Sequence, residues 1–162
     1  MANRGEKVHL CFTEEGELIA AGEGVDLSNW PEGVVLHRLH EWEAPVASGS
    51  YRLSGTAIVP CSMGMLGRIA SGVSGNLMER AADVALKEGW PLVLVPRETP
   101  LSPIHLENML KLSRSGAVIL PPVLTFYHGP SGIDDLVNFV AGRVLDALGV
   151  EHALYRRWGD EG

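Results

Sequence analysis

The chain has 162 residues and 17.4 kDa, with 46% hydrophobic and 20% charged side chains, the composition of an ordinary globular domain rather than a disordered or fibrous chain. No run approaches the roughly 18 apolar residues of a membrane span, and the opening MANRGEKVHL has no signal-peptide core, so a cytoplasmic chain with no membrane partner is expected. The net charge of −7 argues against nucleic acid as a partner; residues 1–50 hold three basic and nine acidic side chains, residues 51–162 ten and eleven, which directs any anion site to the second part.

Residues 8–12 (VHLCF) read as a first short strand. Residues 22–55, richer in Gly, Ser and Pro, read as a long loop with a short strand at 34–37. Residues 56–60 (TAIVP), 91–96 (PLVLVP) and 117–121 (AVILP) are continuous apolar runs, the pattern of strands buried on both faces. Helical spacing lies between and after them: a pattern following Ser62 and Gly64, then Leu77, Met78, Ala81, Ala82 and Ala85, then Leu106, Met109, Leu110 and Leu112, and last Ile133, Leu136, Val137, Val140, Val144 and Leu148. The alternation predicts an α/β fold with a doubly wound parallel sheet in one domain, residues 1–162.

In such sheets ligands bind beyond the carboxyl ends of the strands. Three strand ends lead into chemically rich segments: CSMGM at 61–65, RETP at 97–100 and the stretch through Tyr127-His128-Gly129-Pro130. Ser62 beside Gly64 reads either as a helix N-cap or as a hydroxyl and amide donor set for a phosphate or flavin edge. Arg97, directly after a buried-type strand, needs a partner or a ligand. Arg80, Asp83 and Lys87 share one helix face, and Arg143 borders an apolar stripe near Tyr127. Several cations and a phenol around one rim suit a phosphate-bearing ligand. Cys11 and Cys61 have no metal-ligand spacing, and Cys61 has no His at a recognisable catalytic spacing. The histidines show no HExxH, Asp134-Asp135 lacks a DDxxD continuation, and no GxGxxG or GxxxxGK[ST] loop is present, so no metal site is indicated.

Longer motifs are ordered along the chain: Cys61-Ser62-Met63 followed by IASG (69–72), ERAADVALKE (79–88), PLVLVPRETP (91–100), IHLENMLKL (104–112), GAVILPP (116–122), FYH (126–128) and IDDLVNFVAGRVLDALG (133–149). Together they closely resemble the UbiX-type flavin prenyltransferases, most densely over residues 56–158. The resemblance implies a Rossmann-like or flavodoxin-like flavoprotein fold and transfer of a dimethylallyl group from dimethylallyl phosphate to reduced FMN. The prenyl carbons join flavin N5 and then C6, without a metal, and the prenylated flavin serves UbiD-type decarboxylases. It also implies a homo-oligomer, with a dodecamer as one form.

Carried over by motif, Ser62, Met63, Gly64, Met65 and Arg97 would contact FMN, with Thr13 in place of a serine hydroxyl. Arg80, Lys87, Arg97, Glu98, Tyr127 and Arg143 would surround the prenyl phosphate. Glu23 would transfer a proton near N5, the Trp42 face would stabilise an allylic cation, and Ser62 joins them as the third catalytic position. Family members begin with a further strand and a Gly-Ala-Ser-Gly loop ahead of the strand that here starts at Val8, and both are expected to be missing. Two alternatives stay open from the residues: a non-catalytic or partner-dependent flavin-binding subunit of the same family, and another FMN-dependent decarboxylase of the fold group.

Overall fold

Strand β4 (Leu92–Pro96) is buried at all five positions, as its unbroken apolar sequence requires. The computed structural model describes residues 6–159. In it β4 is the centre of a parallel sheet in the order β3-β4-β5, with β3 at Thr56–Cys61 and β5 at Val118–Ile119. Alternation along β4 sends Leu92 and Leu94 to one face and Val93 and Val95 to the other. The first face packs on α2 (Met63–Ala70), α3 (Leu77–Glu88) and α4 (Pro103–Arg114) through Leu66, Ile69, Ala82, Ala85 and Leu112. The second packs on α5 (Ile133–Ala147) through Val144, with Ala147 and Leu148 beside it. Helices thus cover both faces, the doubly wound arrangement expected.

A second, two-stranded parallel sheet pairs β1 (Val8–Cys11) with β2 (Val34–His37), Val8 opposite Val34 and Cys11 opposite His37. Among the described residues β1 pairs only with β2, and β3 only with β4, so each keeps one edge without ladder partners. The expected single sheet is therefore in two pieces. Two further expectations need adjusting: β3 is buried only at Ile58 and Cys61, and β5 has two strand residues rather than the five of the apolar run.

Among the described residues, four of the five α-helices start where the sequence supplies a side-chain cap. Thr13, Ser62, Asn76 and Ser102 accept from the third residue beyond them and begin α1 (Glu14–Gly22), α2, α3 and α4. Helix α3 ends at Gly89 in the left-handed region (φ 69°), where a side chain would be strained. Glu79, 1% exposed, ties α3 to α2: its carboxylate accepts from Arg68 Nε (2.6 Å), Gly75 N (2.8 Å) and Asn76 Nδ2 (2.9 Å). The segment between β2 and β3 rests on the start of α3, with Ala44 and Val46 buried against Leu77.

Candidate flavin and prenyl phosphate site

The carboxyl ends of β1, β3 and β4 each lead into a polar group. After β1, Thr13 Oγ1 accepts from Gly16 N at 3.0 Å; after β3, Ser62 Oγ accepts from Met65 N at 3.2 Å. Both hydroxyls therefore cap helices through a lone pair and keep their O–H for a ligand. Ser62 and Gly64 are exposed, whereas the Met63 and Met65 side chains lie in the core, 9% and 4% exposed. Only the main chain of these two methionines borders the rim. After β4, Arg97 and Glu98 are exposed. Glu98 Oε1 accepts from Thr99 N at 3.0 Å, while Arg97 has no hydrogen bond or ion pair among the described residues. A helix N-terminus, two hydroxyls and an exposed guanidinium are donors of the kinds that a phosphate-bearing planar ligand such as FMN requires.

The segment from Trp42 to Ser50 forms a second cluster against α3. Arg80 Nε donates to Ala47 O (3.0 Å) and Arg80 Nη1 pairs with Asp83 (2.9 Å). Lys87 pairs with Glu88, and both side-chain ends lie where a Cβ on Gly49 would stand. Trp42 is 47% exposed, leaving its ring accessible.

Tyr127 and Arg143 form a third cluster with the tail after α5. Tyr127 meets Phe139 and Trp158 edge-on, at 5.9 and 5.7 Å between ring centroids. Arg143 Nη1 pairs with Asp146 Oδ2 at 3.2 Å. Burial pushes the Asp146 carboxyl up, but hydrogen bonds from Arg157 (2.8 Å), Tyr155 (2.5 Å) and His152 (3.0 Å) outweigh it and hold the group well below the usual carboxylate range. Gly142 admits this tail, since a Cβ there would stand 2.6 Å from the Tyr155 ring.

Arg80 and Lys87 thus sit on α3, on one face of the central sheet, and Arg143 on α5, on the other. The expected phosphate ligands are therefore carried by elements on both faces of the sheet. Glu23 is the C-cap of α1 and exposed, about 15 Å along the helix axis from Thr13 at 1.5 Å per residue. Cys61 is no nucleophile: burial pushes its thiol up to about 12. The sequence reading missed α1, although Thr13 followed by Glu14, Glu15 and Glu17 is an N-cap with an acidic first turn. It also missed the tail that holds Arg143, whose residues come together only in three dimensions.

A parallel α/β sheet with capped helices at its strand ends and a cationic rim defines a Rossmann-like binding protein for a phosphate-bearing cofactor. The Flavoprotein family model matches residues 8–145. The flavin prenyltransferase UbiX of Halalkalibacterium halodurans is 50% identical, in an alignment covering 99% of this chain and 84% of that protein. Three other curated flavin prenyltransferases are 52–63% identical, and the chain spans about three-fifths of their length, 58–63%. Among solved structures, a dodecameric FMN-dependent UbiX-like decarboxylase from Escherichia coli O157:H7 superposes with a TM-score of 0.86 at 42% identity, covering 95% of this chain and 84% of that one. AnUbiX (PadA1), solved in complex with FMN and dimethylallyl pyrophosphate, gives 0.84 at 40% identity, covering 95% and 83%. The chain belongs to the Flavoprotein family and, within it, to the UbiX-type flavin prenyltransferases.

Proposed function

We propose that the protein transfers a dimethylallyl group from dimethylallyl phosphate to reduced FMN, and that its product serves a UbiD-type decarboxylase. The observation that carries this reading is the 50% identity to a flavin prenyltransferase along 99% of the chain. The rim supports it residue by residue. Thr13 and Ser62 hydroxyls, the amides of Met63 and Gly64, and the Arg97 guanidinium hold the flavin and its phosphate. When bound, reduced FMN supplies nucleophilic attack from N5 and then C6 on the prenyl carbons, with release of phosphate. Trp42 offers a π face to the developing allylic cation. The leaving phosphate is neutralised by Arg80, Lys87, Arg97 and Arg143, with Tyr127 donating a hydroxyl and Glu98 orienting the cations. Glu23 is the candidate for proton transfer near N5.

Because α3 and α5 lie on opposite faces of one sheet, Arg80 and Lys87 meet Tyr127 and Arg143 only if two copies of the chain share a site. Phe126, Val123, Ile133 and Val137, 60–78% exposed around Tyr127 and α5, give such a contact its apolar surface. A homo-oligomer in the cytoplasm, each copy one unit from residue 1 to 162, is the form in which we expect the protein to work; among the described residues no helix is long and apolar enough to cross a membrane. The test is anaerobic incubation with reduced FMN and dimethylallyl phosphate, followed by mass analysis of the flavin. A gain of one C5 unit is expected, falling about 10- to 100-fold in Arg97→Ala or Arg143→Ala, the loss of one charge-assisted phosphate contact. FMN bound but unmodified would leave a flavin-binding subunit instead.

A further inference from the structure

His9 in β1 and His37 in β2 lie on one face of the small sheet, since His9 is opposite Val35 and His37 is two residues further on. Their rings are nearly coplanar, 10° apart, with His9 Nδ1 2.8 Å from His37 Nε2. The outer nitrogens are engaged as well: His37 Nδ1 meets Glu41 Oε1 at 2.9 Å, and His9 Nε2 meets Tyr51 Oη at 3.0 Å. Glu41 Oε2 accepts from Arg38 N at 3.1 Å, which closes the turn immediately before Trp42.

The protons in this row follow from donor and acceptor rules. An ionised Glu41 only accepts, so His37 carries its hydrogen on Nδ1. Neutral His37 then accepts at Nε2, so His9 also carries its hydrogen on Nδ1, and its Nε2 accepts from the Tyr51 hydroxyl. An added proton at His9 Nε2 passes the Nδ1 proton on to His37 Nε2. It leaves an imidazolium beside Glu41, and the Tyr51 hydroxyl now accepts from His9. A second proton finds no free nitrogen. The other charged or titratable groups near the row are Lys7 ahead of β1, Arg38 beside Glu41, Cys11 at the end of β1, which lies in the field of Glu41, and Glu17 on α1, which also acts on Cys11. Burial, then His37 and Lys7, lowers the His9 pKa.

Glu41 and Tyr51 stand near the two ends of the segment that carries Trp42, whose middle is held on α3 by Ala44 and Val46. We propose that Tyr51, His9, His37 and Glu41 form one proton wire that pins both ends of this segment to the β1–β2 sheet and thereby positions Trp42. The positioning role rests on the prenyl transfer reading above; the wire does not. The four are positioning residues.

The experiment uses the full chain labelled with 15N in histidine and tryptophan. In the wild type, ring-nitrogen spectra at pH 9 should show both His9 and His37 with hydrogen on Nδ1, and on acidification both should shift in one joint transition. Tyr51→Phe and Glu41→Gln keep side-chain shape and should uncouple the two rings. Each should also shift and broaden the Trp42 indole signal, assigned with Trp42→Phe. Each should lower kcat for prenyl transfer about 10-fold with FMN affinity unchanged, the double variant being no worse than the poorer single. Independent titration of the two histidines, hydrogen on Nε2 of either at pH 9, or an undisturbed Trp42 signal in both variants would overturn the proposal. If the wild type transfers no prenyl group, the prenyl reading fails, and the ring nitrogens and the Trp42 signal still decide the wire.

Discussion

Strand β4 buries every residue, whereas no residue of β1 is fully buried, although both are short parallel strands of apolar sequence. The difference lies in what covers them. Helices close on both faces of the β3-β4-β5 sheet, while α1, which follows β1, buries none of its side chains and leaves Leu18 74% exposed. The central sheet therefore carries the hydrophobic stability, and the small sheet carries a polar row that fixes a loop. Stability and positioning are separated along the chain.

That separation is open to direct attack, beginning with the largest effect. Leu94→Ala, at a fully buried position, should cost about 3 kcal/mol in denaturant unfolding, against about 1 kcal/mol for half-buried Leu10→Ala. Equal losses would erase the contrast. Glu79→Ala should cost about 2 kcal/mol, since Gly75 N and Asn76 Nδ2 lose their acceptor while Arg68, half exposed, regains water. Gly142→Ala should cost about 1–2 kcal/mol by pushing Tyr155 off α5, and should weaken dimethylallyl phosphate binding by freeing Arg143.

The smallest effect is a matter of pH. The lowered His9 pKa means that the unfolded chain binds the proton first, so this group's share of stability is full above about pH 6.5 and is lost as pH falls further. Asp146 is lowered from a carboxylate value, so its share persists down to about pH 3.9 and is lost below that. Hydrogen exchange should therefore show the β1–β2 sheet loosening as pH falls below about 6.5 while the tail on α5 stays protected. Loosening of both together would contradict the division.

Much of this was legible in the sequence because it depends on local pattern. The apolar run at 91–96, the helical spacing of Leu77 to Ala85 and the N-cap character of Ser62 are each settled within one turn or strand. The Glu79 anchor, the Asp146 cluster and the His9–His37 row were not, because their partners lie 11, 11 and 28 residues apart. The split of the sheet was not legible either, because which strands share a ladder is decided between segments far apart in the chain, and strand patterns report only each segment by itself. The scatter of the phosphate ligands over two faces was invisible to motif matching, which reports order along the chain and not which side of a sheet a helix covers.

The central claim is that Lys87 and Arg143 act in one site from two copies of the chain. The measurement that tests it most directly is complementation: Lys87→Ala and Arg143→Ala proteins, each lowered about 10- to 100-fold in the flavin mass assay, are mixed in equal amounts and reassembled. Shared sites predict recovery of about a quarter of wild-type activity, because random assembly unites the intact residues at that frequency. No recovery in a mixture shown to have exchanged subunits would contradict the claim.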